Sequence, residues 1–102
     1  MLRENANQSV ELVGDAPART YRAVALAPDP CHRISEEAEV SVDASAVVVT
    51  RAMTREPGIC ATVITPIEVT GPVPDRGAEI ATFTLRLRDE RGATVFEASA
   101  PL

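Results

Sequence analysis

Apolar and polar residues alternate along most of this chain, and proline, glycine and aspartate interrupt the alternation at short intervals. Alternation with a period of two places one set of side chains on each face of a β-strand. Many short strands separated by turns are typical of two packed sheets. We therefore predict an all-β, antiparallel β-sandwich of about seven short strands, at residues 9–13, 20–27, 36–42, 46–53, 59–65, 80–88 and 93–99.

The alternation also predicts how two of the hairpins pair. In the central hairpin Val42 pairs with Val47, which gives the hairpin one apolar face. In the C-terminal hairpin Leu85 pairs with Phe96. The turn of this second hairpin contains Gly92, and a bulge there would shift the pairing, so the C-terminal register stays open.

Residues 59–65 differ from the other predicted strands because their apolar residues do not alternate with polar ones. A short continuous apolar run is expected of a strand that is buried on both faces. We therefore predict that this segment is a strand in the core.

Length and charge limit the choice of protein class. The 102 residues suffice for one domain, and we assign residues 9–102 to a single β-sandwich. Residues 1–8 are polar and are expected to be a disordered tail or a segment that derives from expression of the domain. The net charge of −5 would repel a phosphate backbone, so we expect no nucleic-acid partner. No apolar run reaches the ~18 residues of a transmembrane segment.

Cys31 and Cys60 are the only cysteines, and each lies at the start of a β-like run. One such pair in a small β-domain is typical of a structural disulfide, which persists in oxidising compartments. The bond would enclose the central hairpin and contribute about 3.5 kcal/mol in the chain-entropy model. Two buried free thiols are the alternative.

His32 follows Cys31 directly and suggests a metal site as a further alternative. Cys31, His32 and Cys60 would suit a soft ion such as Cu(I) or Zn²⁺. Their spacing matches no zinc finger or ribbon, and adjacent strand residues point to opposite faces. We expect neither a metal nor another cofactor. Because His32 is the only imidazole and the sequence contains no GxSxG or HExxH motif, we assign no catalytic residue and do not expect an enzyme.

Two proline-containing loops are candidates for recognising a partner, because binding residues often lie on loops that a rigid scaffold displays. Proline also lowers the entropy lost when a loop docks. The candidate residues are Arg55, Glu56 and Pro57 in the first loop and Val73, Pro74, Asp75 and Arg76 in the second. The alternative interpretation is that both loops are plain connectors.

Two segments carry a resemblance to known proteins. Residues 30–34 read Pro-Cys-His-Arg-Ile, and residues 59–66 read Ile-Cys-Ala-Thr-Val-Ile-Thr-Pro. Together they resemble small bacterial exported or lipoprotein β-domains of unassigned function, over residues 28–98. The resemblance implies an immunoglobulin-like sandwich with a cystine and brings no catalytic residue with it.

These observations predict a noncatalytic binding or structural module that one disulfide stabilises. Its partner would be a protein, and the sequence does not determine the oligomeric state. We expect an extracytoplasmic location, which means periplasmic, secreted or lipid-anchored, with the leader absent from this sequence. A cytoplasmic location is the alternative. A peptidase inhibitor that acts through a loop is the alternative function.

Overall fold

The computed structural model describes residues 8–15 and 18–102, and these residues form seven β-strands and no helix. The prediction of an all-β protein is therefore confirmed. Residues 1–7 of the predicted tail lie outside the described residues. The strands are β1 (Val10–Val13), β2 (Thr20–Ala27), β3 (His32–Asp43), β4 (Ala46–Arg55), β5 (Thr65–Pro72), β6 (Thr82–Arg88) and β7 (Thr94–Pro101).

The strands form two sheets that pack face to face. The first sheet has the order β1-β2-β5 and the second β3-β4-β6-β7. Four strand pairs are antiparallel, as predicted, but β4 and β6 are parallel. In the constant-type immunoglobulin fold the fourth strand lies beside the fifth in the first sheet. Here β4 lies in the other sheet, between β3 and β6, so this strand order does not confirm the immunoglobulin-like topology.

The core lies between the sheets and follows from the alternation along each strand. In β2 every second residue is buried, from Tyr21 to Ala27. In β6 the inward residues Phe83, Leu85 and Leu87 are completely buried. The rings of Tyr21 and Phe83 stack across the two sheets, with centroids 5.1 Å apart. Aliphatic and aromatic side chains of this size contribute about 1.5–3 kcal/mol each when they are fully buried.

The central hairpin has the predicted register. Val42 pairs with Val47 and Val40 with Val49. The turn between β3 and β4 has only two residues, Ala44 and Ser45, which fixes the pairing because hairpin register depends on turn length.

The C-terminal hairpin differs from the predicted pairing. Phe96 pairs with Leu87, and Leu85 pairs with Ala98, two residues away from the pairing that alternation alone suggests for this register, which the sequence left open. A bulge places Val95 as an extra residue in β7, and this lengthens the strand next to the turn. A shift by two keeps every side chain on its face. Leu85 and Phe96 are therefore both buried on the inward face of the second sheet.

Candidate protein-binding surface

The two predicted binding loops lie at opposite ends of the sandwich. The first follows β4 and contains Cys60, so we call that end the cystine end. The second follows β5, which runs from the cystine end to the other end, the far end. A strand of eight residues such as β5 spans ~26 Å. The two loops therefore do not form one continuous surface.

The predicted disulfide between Cys31 and Cys60 is present. Cys31 lies in the turn between β2 and β3, and Cys60 lies in the segment between β4 and β5. Their Cα atoms are 6.2 Å apart. The bond therefore ties residues 56–64, which we call the pinned loop, to the turn between β2 and β3.

Asp29 adds a second connection between the same two segments. Its Oδ1 accepts hydrogen bonds from the Cys31 amide and from Nδ1 of His32, each at 2.9 Å. Its Oδ2 accepts one from Nε of Arg55 at 3.1 Å, and the Glu56 amide donates to the Cys31 carbonyl at 2.9 Å. Burial alone would raise the pKa of Asp29, but these three donors outweigh it and hold that pKa below its ordinary value of 3.8.

The pinned loop exposes three large apolar side chains. Ile59 is fully exposed, and Val63 and Ile64 are more than half exposed. The predicted buried strand at residues 59–65 is therefore wrong: only Thr65 belongs to β5, and residues 59–64 are irregular and face solvent. A continuous apolar run carries no information about which face is buried. The disulfide of Cys60 holds the run at the end of the sandwich, away from the core.

Within the pinned loop and at its start, the candidate residues Arg55, Glu56 and Pro57 are all exposed. Nη2 of Arg55 donates to the Gly58 carbonyl at 3.4 Å. Arg55 therefore holds the loop and Asp29 together, whereas Glu56 forms an ion pair with Arg33. These polar residues lie beside the exposed Ile59 in the chain.

Of the candidate metal ligands, Cys31 and Cys60 lie close together with Asp29 at the cystine end, whereas His32 is not part of this group. One ligand atom each of Asp29, Cys31 and Cys60 lies within 4.8 Å of the others. The two sulfur atoms are joined in the disulfide, and metal ions bind the thiolate form of cysteine. His32 and the backbone already use the Asp29 oxygen Oδ1. The arrangement therefore serves to order the turn.

The far end carries the second predicted loop, with the candidate residues Val73, Pro74, Asp75 and Arg76. Val73 is buried in the core. Its amide donates to the Arg19 carbonyl at 2.9 Å, which extends the β2–β5 ladder by one pair. Asp75 and Arg76 are exposed, and Oδ1 of Asp75 accepts the Gly77 amide at 3.3 Å. The side chain of Val73 is thus a core element and not a contact surface.

Sequence reasoning missed Arg51, which lies on β4 at the border of an open groove of about 860 Å³ between β3 and β5. Its Nε donates to the Ser35 carbonyl at 2.7 Å. Its Nη1 donates to the Tyr21 hydroxyl at 2.9 Å and to the Thr70 carbonyl at 2.7 Å. One guanidinium therefore connects both sheets. The signal was in the alternation, since Val47, Val49, Arg51 and Met53 share the inward-facing positions of β4.

Comparisons of this chain with protein-family models, with curated proteins and with solved structures find no match. Within the described residues, the structure contains no helix with the length and apolar character needed to cross a bilayer.

Proposed function

We propose that this chain is a noncatalytic, extracytoplasmic protein-binding module that presents the pinned loop to its partner. The observation that carries the proposal is the exposure of Ile59, Val63 and Ile64 on a segment that a disulfide holds. Apolar side chains grouped in this way are typical of interaction surfaces. The partner is a protein with an apolar pocket or groove.

The energetics favour binding through this loop. Burying an Ile or Val side chain contributes about 1.5–3 kcal/mol. Ordering a flexible loop on binding costs free energy. The link from Cys31 to Cys60 and the bonds to Asp29 reduce that cost, because they order the loop before the partner arrives.

The extracytoplasmic location is part of the proposal and is supported by the disulfide, since such bonds persist in oxidising compartments. Periplasmic, secreted and lipid-anchored forms are all compatible with it. An immunoglobulin-like relationship also stays a proposal. Its support is that β1, β2 and β5 lie side by side, as the first, second and fifth strands do in immunoglobulin domains.

Peptidase inhibition is the second candidate function. The specific observation that favours it is an exposed irregular loop next to a cystine, a form that could enter a peptidase cleft. Assays of serine and cysteine peptidases with the purified domain separate the two functions. Inhibition that is lost in the Ile59→Ser variant would support the inhibitor function. No inhibition at micromolar concentrations of the domain would reject it.

The test of the binding proposal uses a displayed library of random dodecapeptides as the probe. Peptides are selected on the oxidised wild type and then tested on a triple variant, Ile59→Ser, Val63→Ser and Ile64→Ser. The matched control removes two exposed valines elsewhere, by Val13→Ser and Val24→Ser. We expect binding to the control and at least about tenfold weaker binding to the triple variant, since the three side chains carry several kcal/mol of burial energy. Peptides that bind all three proteins equally would reject the loop as the binding surface.

A further inference from the structure

The two sheets have different widths, and this leaves the inward face of β3 uncovered. The first sheet has three strands and the second has four, with β3 at an edge. Val40 and Val42 are 38% and 51% exposed, whereas their partners on β4, Val49 and Val47, are 2% and 0% exposed. Directly paired residues point to the same face. Two valines of β3 therefore face inward without a covering strand.

The backbone at this edge is also free to pair. The two-residue turn makes Asp43 and Ala46 a hydrogen-bonded pair, and such pairs alternate along an antiparallel ladder. The amide and carbonyl groups of Ala38, Val40 and Val42 therefore point away from β4. None of these residues is proline, so the stretch offers three donors and three acceptors to an added strand.

The edge of the other sheet on the same side, β5, is closed to such pairing. The Val73 amide donates to β2, so the alternate residues Pro66, Glu68, Thr70 and Pro72 direct their backbone groups outward. The two prolines have no amide hydrogen to donate. The Thr70 carbonyl already accepts Nη1 of Arg51. Of these two neighbouring edges, only β3 can accept a strand.

The charges along β3 indicate the chemistry of the partner. Glu36, Glu37, Glu39 and Asp43 form no ion pair with any other described residue. A second copy of this chain, paired antiparallel about Val40, would set Glu37 opposite Asp43 twice. Like charges directly opposite each other are destabilising in a sheet. Basic side chains at the same positions are stabilising.

We propose that the edge of β3 from Ala38 to Val42 binds an extended segment of a partner protein in which apolar and basic residues alternate. The segment adds to the second sheet as a further strand. Its apolar side chains cover Val40 and Val42, and its basic side chains pair with Glu39 and Asp43. This surface is separate from the pinned loop, so either site can be tested without the other.

The test measures amide hydrogen exchange by NMR, with a capped octapeptide of alternating arginine and valine as the probe. We expect the amides of Ala38, Val40 and Val42 to exchange rapidly in the free protein and at least about tenfold more slowly with the peptide bound. An octapeptide of alternating glutamate and valine, and one with the arginines and valines in two blocks, are the control probes. We expect neither control to slow exchange.

Two variants of Val40 block the edge of β3, and the spectrum of the core shows whether each variant is still folded. Val40→Pro removes one outward amide without breaking a β3–β4 bond, and Val40→Lys places a cation on the inward face. We expect both to abolish the protection while the spectrum of the core stays unchanged. Binding without protection of the three amides would overturn the proposal, as would equal binding of the glutamate peptide. Protection in the free protein together with a dimer in sedimentation would overturn it in favour of a second copy.

Discussion

Arg51→Met removes the guanidinium that joins the two sheets but keeps most of the aliphatic volume of the side chain. Three hydrogen bonds disappear, to the Ser35 carbonyl, the Tyr21 hydroxyl and the Thr70 carbonyl. The Thr70 carbonyl borders the open groove and Ser35 lines a second groove beside Arg51, so water can replace the arginine at both carbonyls. Tyr21 is only 2% exposed, so its hydroxyl loses its partner in a buried place.

These differences set the expected magnitude. A hydrogen bond whose acceptor can turn to water contributes about 0.5–1.5 kcal/mol, and a buried hydroxyl left without a partner costs about 1–3 kcal/mol. The sum over the two carbonyls and the hydroxyl for Arg51→Met is a loss of about 2–6 kcal/mol in the free energy of unfolding. The matched control is Arg88→Met, an exposed arginine on β6, for which we expect a change within about 0.5 kcal/mol.

Urea unfolding followed by circular dichroism measures both variants, and Tyr21→Phe completes a double-mutant cycle with Arg51→Met. We expect Tyr21→Phe to cost about 1 kcal/mol in the wild type and to recover about 1–3 kcal/mol in the Arg51→Met background, where it removes the hydroxyl left without a partner. A loss below about 0.5 kcal/mol for Arg51→Met would refute the role of Arg51 as a connection between the sheets. Equal costs of Tyr21→Phe in both backgrounds would refute the part assigned to the hydroxyl.

Three further outcomes follow from the structure. Replacing both Cys31 and Cys60 by alanine is expected to lower the free energy of unfolding by about 3.5 kcal/mol in urea titrations, and an unchanged midpoint would reject this. Gly71→Ala places a methyl group 2.5 Å from the Tyr21 hydroxyl, so we expect it to lower the free energy of unfolding by about 1–3 kcal/mol. An unchanged melting temperature in calorimetry would contradict that packing. The pKa of Asp29 is lowered in the folded state, so its stabilising contribution is complete above the unfolded-state pKa and disappears as the pH falls through the folded-state pKa. Asp29→Asn should therefore flatten the decline of the urea midpoint below about pH 4, and parallel declines in both proteins would disprove this.

Alternation predicted the features that depend on which face a residue occupies. The whole of β2 and the pairing of Val42 with Val47 follow the pattern because a tight turn and a period of two leave little freedom. The pairing of Phe96 with Leu85 that alternation suggested was wrong because alternation does not reveal the bulge at Val95. Phe96 is buried all the same, because a shift of two residues keeps it on the same face.

Contacts between distant segments could not be predicted from the pattern. Alternation assigns the inward face of β4 and of β6, but it does not indicate which strands are neighbours in the sheet. The parallel pairing of β4 with β6 could therefore not be derived from it. The run from Ile59 to Ile64 is apolar but exposed, because the disulfide of Cys60 holds it at the cystine end. Arg51 was overlooked since a charged residue among inward-facing valines contradicts the expectation for a core position.

Binding through the pinned loop requires that the disulfide keeps Ile59, Val63 and Ile64 ordered outside the sandwich. Nitrogen-15 relaxation of the backbone amides of residues 59–64 measures that order directly. In the oxidised protein we expect order parameters close to the value of about 0.85 for rigid backbone, with a fall below about 0.6 after reduction. Values below about 0.6 in the oxidised protein would show that the loop is not held in place, and the proposed binding surface would have to be abandoned.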